Sequence, residues 1–273
     1  MSAVSFSFVP SEIALGLGIV LVTGASFYLV ESVFSMSSTI KNRFVELLPY
    51  TASSEDKQIV LQQDTTKFPN AQPILPSDNE RTGIEFSYSF YLLVNENTFE
   101  GQDTLHNVFY KGYSNNPWPL QSPGVYIRGN VNTMRILLNS YKDPFAYVDI
   151  ENIPVGKWFH VVLNYQNTAL EIHINGRLTK KQTYTDSLPN LNYENITIFS
   201  NNVTTINRPN AKIPNIQFKG SIYGKLSNLV YTRYAISYTE IQSLFKKGPS
   251  SITKSPMATE TPPYFADSWW ANQ

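Results

Sequence analysis

A chain of 273 residues has room for one large β domain with appendages. Hydrophobic residues make up 42% and charged residues 15%, and the 14% aromatic content rests on 17 Tyr and 16 Phe, side chains that suit pleated, half-buried surfaces. Lys plus Arg equals Asp plus Glu at 21 each, which argues against nucleic acid as a partner, and the absence of cysteine excludes disulfides, thiolate metal sites and cysteine nucleophiles.

The N-terminal tip, residues 1–12, contains no Lys or Arg. Residues 13–30 (IALGLGIVLVTGASFYLV) are 18 uncharged positions bounded by Glu12 and Glu31. As a helix this run is about 27 Å long, close to the hydrocarbon thickness of a bilayer. A cleaved signal peptide needs a basic n-region. A buried core helix is unusual at a terminus that leads into a polar linker. An interfacial segment remains an alternative because the run is short. A transmembrane anchor is the expectation. Lys41 and Arg43 follow the run and nothing basic precedes it, so the positive-inside rule places the C-terminal part in the cytosol. Gly16 and Gly24 do not form a GxxxG pair.

Residues 31–82 read as a juxtamembrane segment and linker. Residues 37–48 would extend a helix, Pro69, Pro73 and Pro76 break periodicity in the polar remainder, and 58–61 form a short outer strand. From 83 to 248 the pattern is strand, turn, strand. Phe86, Tyr88, Phe90 and Leu92 alternate within 86–94, and further strands fall at 108–110, 124–128, 134–138, 161–165, 169–174, 196–199 and 226–231. Asn175-Gly176 suits a type I′ hairpin turn. Ser237 and Glu240 have capping-box spacing ahead of Ile241, Leu244 and Phe245, and Gly248 stops that helix. The fold class is all-β: an antiparallel jelly-roll β-sandwich with an N-terminal transmembrane helix and one short C-terminal helix. Residues 249–273 form an extended tail ending in Tyr264, Phe265, Trp269 and Trp270. Those rings are costly to leave in water, so they either pack back on the protein or dock on a partner or the membrane interface.

Pro154-Val-Gly-Lys-Trp158-Phe-His160-Val-Val, followed by Leu170-Glu-Ile-His-Ile-Asn175-Gly176, resembles the central signature of the concanavalin A-like, laminin-G-like superfamily. Phe86 to Leu92, Phe218-Lys-Gly220-Ser-Ile222 through Tyr231, and Ala235-Ile-Ser237 through Leu244 resemble its flanking motifs in order. The resemblance implies Trp158 as an anchor between two sheets and a close backbone approach or bulge at Gly220.

The resemblance also raises two chemistries. Its glucanases carry Glu-x-Asp-x-x-Glu, and here only Asp149-Ile150-Glu151 stands, without the leading acid. A polar strand edge is the expectation and no catalytic residue is assigned. Calcium-binding relatives use rim carboxylates, but Asp103, Asp143 and Asp149 form no recognisable cluster, so no metal or other cofactor is expected. His106 is placed in a loop, His160 in the strand motif, and His173 pointing outward between Ile172 and Ile174. The sequons at Asn195 and Asn202 are read as chance.

A structural, interaction role is therefore expected: a single-pass anchor holding the sandwich beside a bilayer, in contact with other structural proteins of a coat or capsid layer. Composition and the anchor resemble minor structural proteins of large icosahedral DNA viruses, which link an internal membrane to the capsid. The alternative is a lectin-like glycan receptor. Its candidate binding residues are Tyr110, Tyr113, Asn115 and Trp118, with Tyr264, Phe265, Trp269 and Trp270 in the tail as docking candidates.

Overall fold

The structure is a computed structural model that describes residues 11–77, 84–113, 120–184, 187–207 and 215–253. It divides into two units at Arg43/Phe44. The first holds helix α1 (Ser11–Arg43). Among the described residues no helix is long and apolar enough to cross a membrane.

The second unit begins with strands β1 (Phe44–Ser53), β2 (Ile59–Leu61), β3 (Phe86–Val94), β4 (Leu105–Gly112) and β5 (Gln121–Arg128). It continues with β6 (Thr133–Leu137), β7 (Tyr147–Glu151), β8 (Phe159–Gln166), β9 (Ala169–Ile174) and β10 (Arg177–Thr183). Strands β11 (Ile196–Ile198), β12 (Val203–Ile206), β13 (Ile216–Ser221) and β14 (Gly224–Thr232) and helix α2 (Tyr238–Lys247) complete it. One sheet runs β1-β14-β3-β8-β9-β10; the other runs β12-β13-β4-β5-β6-β7, with β11 joining β2 to β4. Among the described residues all pairings are antiparallel except β13 with β4. β4 divides one edge between two neighbours, taking β13 at Leu105 and Asn107 and β11 at Phe109 to Lys111.

The core between the sheets follows from period-two alternation. Phe86, Tyr88, Phe90, Leu92 and Val94 on β3 and Phe159, Val161, Leu163 and Tyr165 on β8 enter one cluster. Phe86 stacks on Tyr165 at 5.3 Å between ring centroids. The expected hairpin is present, with Asn175 at φ 50° and Gly176 at φ 75° between β9 and β10. Trp158 is not the inter-sheet anchor: it precedes β8 with the parity of His160 and is only half-buried, and Phe159 fills the core position. Gly220 takes φ 65° where the β13–β4 register shifts, with open space where a Cβ would point, so conformation rather than close approach requires glycine there.

Residues 44–53, expected in the helix extension and linker, form edge strand β1 on β14 and send Leu47, Leu48 and Ala52 into the core. Register shifts at Glu46/Leu48 and Leu48/Thr51 erase the alternation by which a strand is recognised. The 58–61 strand is present as β2, and the following segment is tied down. The Gln63 side chain accepts from Ile74 N at 2.7 Å and donates to Gln72 O at 2.9 Å.

The outer face of β3 and β8 is also buried, because α2 and its approach cover it. Asn164 accepts from Ile236 N and donates to Ile236 O, at 3.0 and 3.2 Å, and Ser87 donates to Asn164 and to Tyr234 O. The capping box at α2 is complete: Ser237 Oγ accepts from Glu240 N, and the Glu240 carboxylate accepts from Ser237 N. Under this cover lie two histidines. His160 is 1% exposed, with Nε2 2.8 Å from Ser89 Oγ and no partner at Nδ1. His173, expected to face outward, is buried opposite Val162, because outward on this sheet means beneath α2.

Burial holds the His160 pKa down to about 4, with His173 pushing it the same way. An unfolded histidine titrates near 6.5. Between those values the unfolded chain takes up a proton that the native state excludes, so stability falls as pH falls. The expected slope is ~1.4 kcal/mol per pH unit. The fall in urea midpoint from pH 7 to pH 5 should be clearly smaller in His160→Gln than in the native chain; equal falls would refute the assignment.

Candidate functional site

Three places carry exposed or unusual chemistry. The first is the end of the β4–β5 hairpin, where the sequence placed its binding residues. The structure separates them. Tyr110 is 8% exposed and packs on the outer face of the second sheet with Tyr126 and Phe218, whose rings are 5.0 Å apart. It is a core residue there. Tyr113 is 45% exposed, and its phenol pKa is raised by a hydrogen bond to the Glu194 carboxylate. Asn115, Trp118, Tyr264, Phe265, Trp269 and Trp270 lie outside the described residues.

Between Tyr110 and Tyr113 stands Lys111, which sequence reasoning passed over. Its ammonium is buried and donates to Asn192 O and Glu194 O, both at 2.7 Å. Asn192 returns a bond from Nδ2 to Lys111 O. Burial lowers the lysine pKa to about 8 against a raising effect of Glu194. The neighbouring cavity, bounded by Tyr88, Ser122 and Tyr231, holds about 50 Å3, room for water and little else. Lys111 therefore pins the 192–194 segment ahead of β11. Asn195 continues that work, accepting from Gln63 N at 3.0 Å and donating to Gln62 Oε1 at 2.8 Å. In the first sequon Thr197 is buried on β11 between β2 and β4 and the part-buried Asn195 has its amide engaged, whereas Asn202 is exposed.

The second place is a groove of about 420 Å3 between β1 and β2, lined by Leu47, Pro49, Tyr50, Val60, Leu61 and the Phe68–Gln72 turn. Val60 and Phe68 are 37% and 42% exposed. The third is a polar hollow of about 330 Å3 at the sandwich rim. There the Glu100 carboxylate takes Lys219 at 2.5 Å and lies 3.3 Å from His106, which is on β4 and buried rather than in a loop. Asn97, Asn201 and Tyr223, the last 55% exposed, complete the hollow. These residues come from separate connections, so no sequence motif marks them.

Asp149, Asp103 and Asp143 are engaged, while Glu151 is exposed. Arg135 grips Asp149 with Nε and Nη2 at 2.7 and 2.6 Å while lying over the Tyr147 ring. Asp103 pairs with Arg128, and Asp143 accepts from Phe145 N. Among the described residues no three His, Asp or Glu side chains cluster as a metal site would require.

The sequence model of the concanavalin A-like lectin/glucanases superfamily matches residues 67–219, more than half of the chain. The chain belongs to this superfamily. No curated protein sequence matches it. Similar solved structures include the receptor binding domain of botulinum neurotoxin D, at 12% identity and TM-score 0.49, covering 72% of this chain and 43% of that one. The serotype D ligand binding domain in complex with N-acetylneuraminic acid is another, at 11% identity and TM-score 0.43, covering 60% and 36%. The chain thus spans less than half the length of these solved chains.

Gly112 sets the geometry of the Lys111 clasp. At φ 126° it takes a conformation that L side chains rarely adopt, and a Cβ would stand 1.7 Å from Leu120 O. Gly112→Ala is expected to cost more than about 3 kcal/mol in chemical denaturation, since strain and a backbone clash combine. A loss below about 1 kcal/mol would show that the hairpin end relaxes freely.

Proposed function

We propose that this chain is a membrane-anchored, non-catalytic binding module whose sandwich joins a bilayer to a protein layer. The observation that carries the reading is the character of α1. Leu15, Leu21 and Phe27 are 69%, 71% and 79% exposed, and at six-residue spacing they lie about 120° apart around the helix. A helix apolar on every side has no face to turn to water. Two of its polar side chains bond back to its own backbone, as a lipid medium demands. Thr23 Oγ1 donates to Ile19 O and Val20 O, and Ser26 Oγ donates to Val22 O. The continuous described side chains, 18–32, are shorter than a crossing; the proposed span is the 18-residue sequence run 13–30. Lys41 and Arg43 after the run favour a cytosolic sandwich. The ion pairing of Asp149 supports the absence of glycosidase chemistry. An internal virion membrane beneath a capsid is one setting for such a link, supported by composition alone.

Carbonate extraction of the full chain from cell membranes is expected to leave it in the pellet, and protease added outside sealed microsomes is expected to digest the sandwich. Release by carbonate would sink the anchor. Protection of the sandwich, with a glycan on the exposed Asn202, would reverse the orientation.

Glycan binding is the second reading, favoured by the rim hollow. An exposed ring at Tyr223 beside the Asn97 and Asn201 amides and the Glu100 carboxylate offers a stacking face with hydrogen-bonding groups around it. In a glycan-array measurement this reading expects a signal that falls at least tenfold in Tyr223→Ala. No signal, or one indifferent to Tyr223, would remove it.

A further inference from the structure

The Lys111 clasp holds a nucleophile against an amide. Lys111 is 4% exposed, and its Nζ donates to Asn192 O and Glu194 O, both at 2.7 Å. The Asn192 side chain runs the other way, donating from Nδ2 to Lys111 O at 3.1 Å. Each tip touches the main chain of the other residue, so the two side chains lie alongside each other, amine beside carboxamide. The carboxamide is fixed at its oxygen as well, where Oδ1 accepts from Glu194 N at 3.1 Å. Gly112 leaves room for it, since a Cβ there would stand 3.1 Å from Asn192 Nδ2.

Three features make this pair reactive. Burial lowers the lysine pKa to about 8, so about a tenth of the side chain is neutral amine at pH 7, far more than in an ordinary lysine. The bond from Glu194 N draws electrons toward Asn192 Oδ1 and faces the atom on which negative charge collects when Cγ is attacked. Lys111 and Asn192 both line the cavity of about 50 Å3, together with Ser122, whose buried hydroxyl has no partner. The other walls are mainly apolar, so bulk water is kept from the pair while one water-sized molecule fits.

We propose that Lys111 and Asn192 join in an intramolecular isopeptide bond. The neutral amine attacks Asn192 Cγ, the carbonyl electron pair moves to Oδ1, and its return expels Nδ2. One C–N bond forms and one breaks. The amide nitrogen leaves as ammonia, carrying the proton that the amine gives up, and no oxidant or cofactor takes part. The product ties β4 to the segment ahead of β11 across a sequence separation of 81, in a chain with no cysteine to make a crosslink. This assignment is independent of the membrane and glycan readings.

The test is the mass of the full chain, kept folded in detergent micelles at pH 8 and then denatured. The expected mass is lower than the sequence mass by one ammonia. Tryptic digestion is expected to give a branched peptide that joins Lys111 to Asn192, with no cleavage after Lys111. Lys111→Arg and Asn192→Ala should each keep the full sequence mass. In freshly made chain the reaction should quicken about tenfold from pH 6 to pH 7, because the neutral amine rises by that factor below its pKa. A native chain still at full sequence mass after prolonged incubation would overturn the proposal, and that measurement needs no variant to fold. So would an ammonia loss that maps only to Asn175-Gly176, where ring closure to a succinimide releases the same molecule.

Discussion

The architecture depends on the last strand lying between the first and the third. β14 hydrogen-bonds β1 on one side and β3 on the other, so the chain's final strand is a central one and its first strand is an edge. A central strand buried on both faces must place its polar groups carefully. β14 does so at Ser227, fully buried, whose hydroxyl takes Thr51 Oγ1 and Ser250 N. That knot ties β1, β14 and the segment after α2 together. It binds residues close to both ends of the sandwich into one polar contact, so the sheet cannot be completed until the whole domain has been made.

The same accounting governs the outer face of that sheet. Ser87, Ser89, His160 and Asn164 would be unremarkable facing water. Beneath α2 each needs a partner, because a buried polar group left unpaired costs about 1–3 kcal/mol. Asn164 meets the requirement by reading Ile236 N–H and C=O together, which fixes the chain just before the α2 cap. His160 meets it in part, through Ser89 alone, and stays neutral by burial. Helix placement, histidine titration and the near-total burial of β3 and β8 are thus consequences of one covering layer.

Much of this was legible in the sequence where local rules decide the outcome. The Asn175-Gly176 turn, the Ser237/Glu240 cap and the alternation of 86–94 are short-range signals, and the structure carries each one. The failures share a different cause. β1 hides behind two register shifts and a proline, so residues 44–48 read as a helix extension and 49–53 as linker. His173 was assigned by parity, which tells inside from outside but not whether the outside is covered; Trp158 was assigned by the family resemblance, and its parity with His160 puts it off the core face. Tyr110 was read as part of a binding loop by its composition, whereas it lies on β4 in a cluster on the outer face of the second sheet. Lys111 gave no signal because two backbone carbonyls hold its charge, and a carbonyl has no identity in a sequence.

That last point bears on where specificity can sit in a member of this superfamily. The jelly roll fixes where strands lie, and function then falls to what the connections and edges carry. Here one carboxylate of the segment nearest in sequence to the glucanase pattern is spent on structure, Asp149 being held bidentately by Arg135. Among the described residues, exposed chemistry lies at the margins: the apolar side chains of α1, a rim hollow with one exposed tyrosine, and a groove between two strands. Edge strands invite pairing with any extended chain, so a domain that leaves one open must cover it or use it. The hydrogen bond from Thr51 N to Ile252 O covers one residue of that edge with the segment that follows α2.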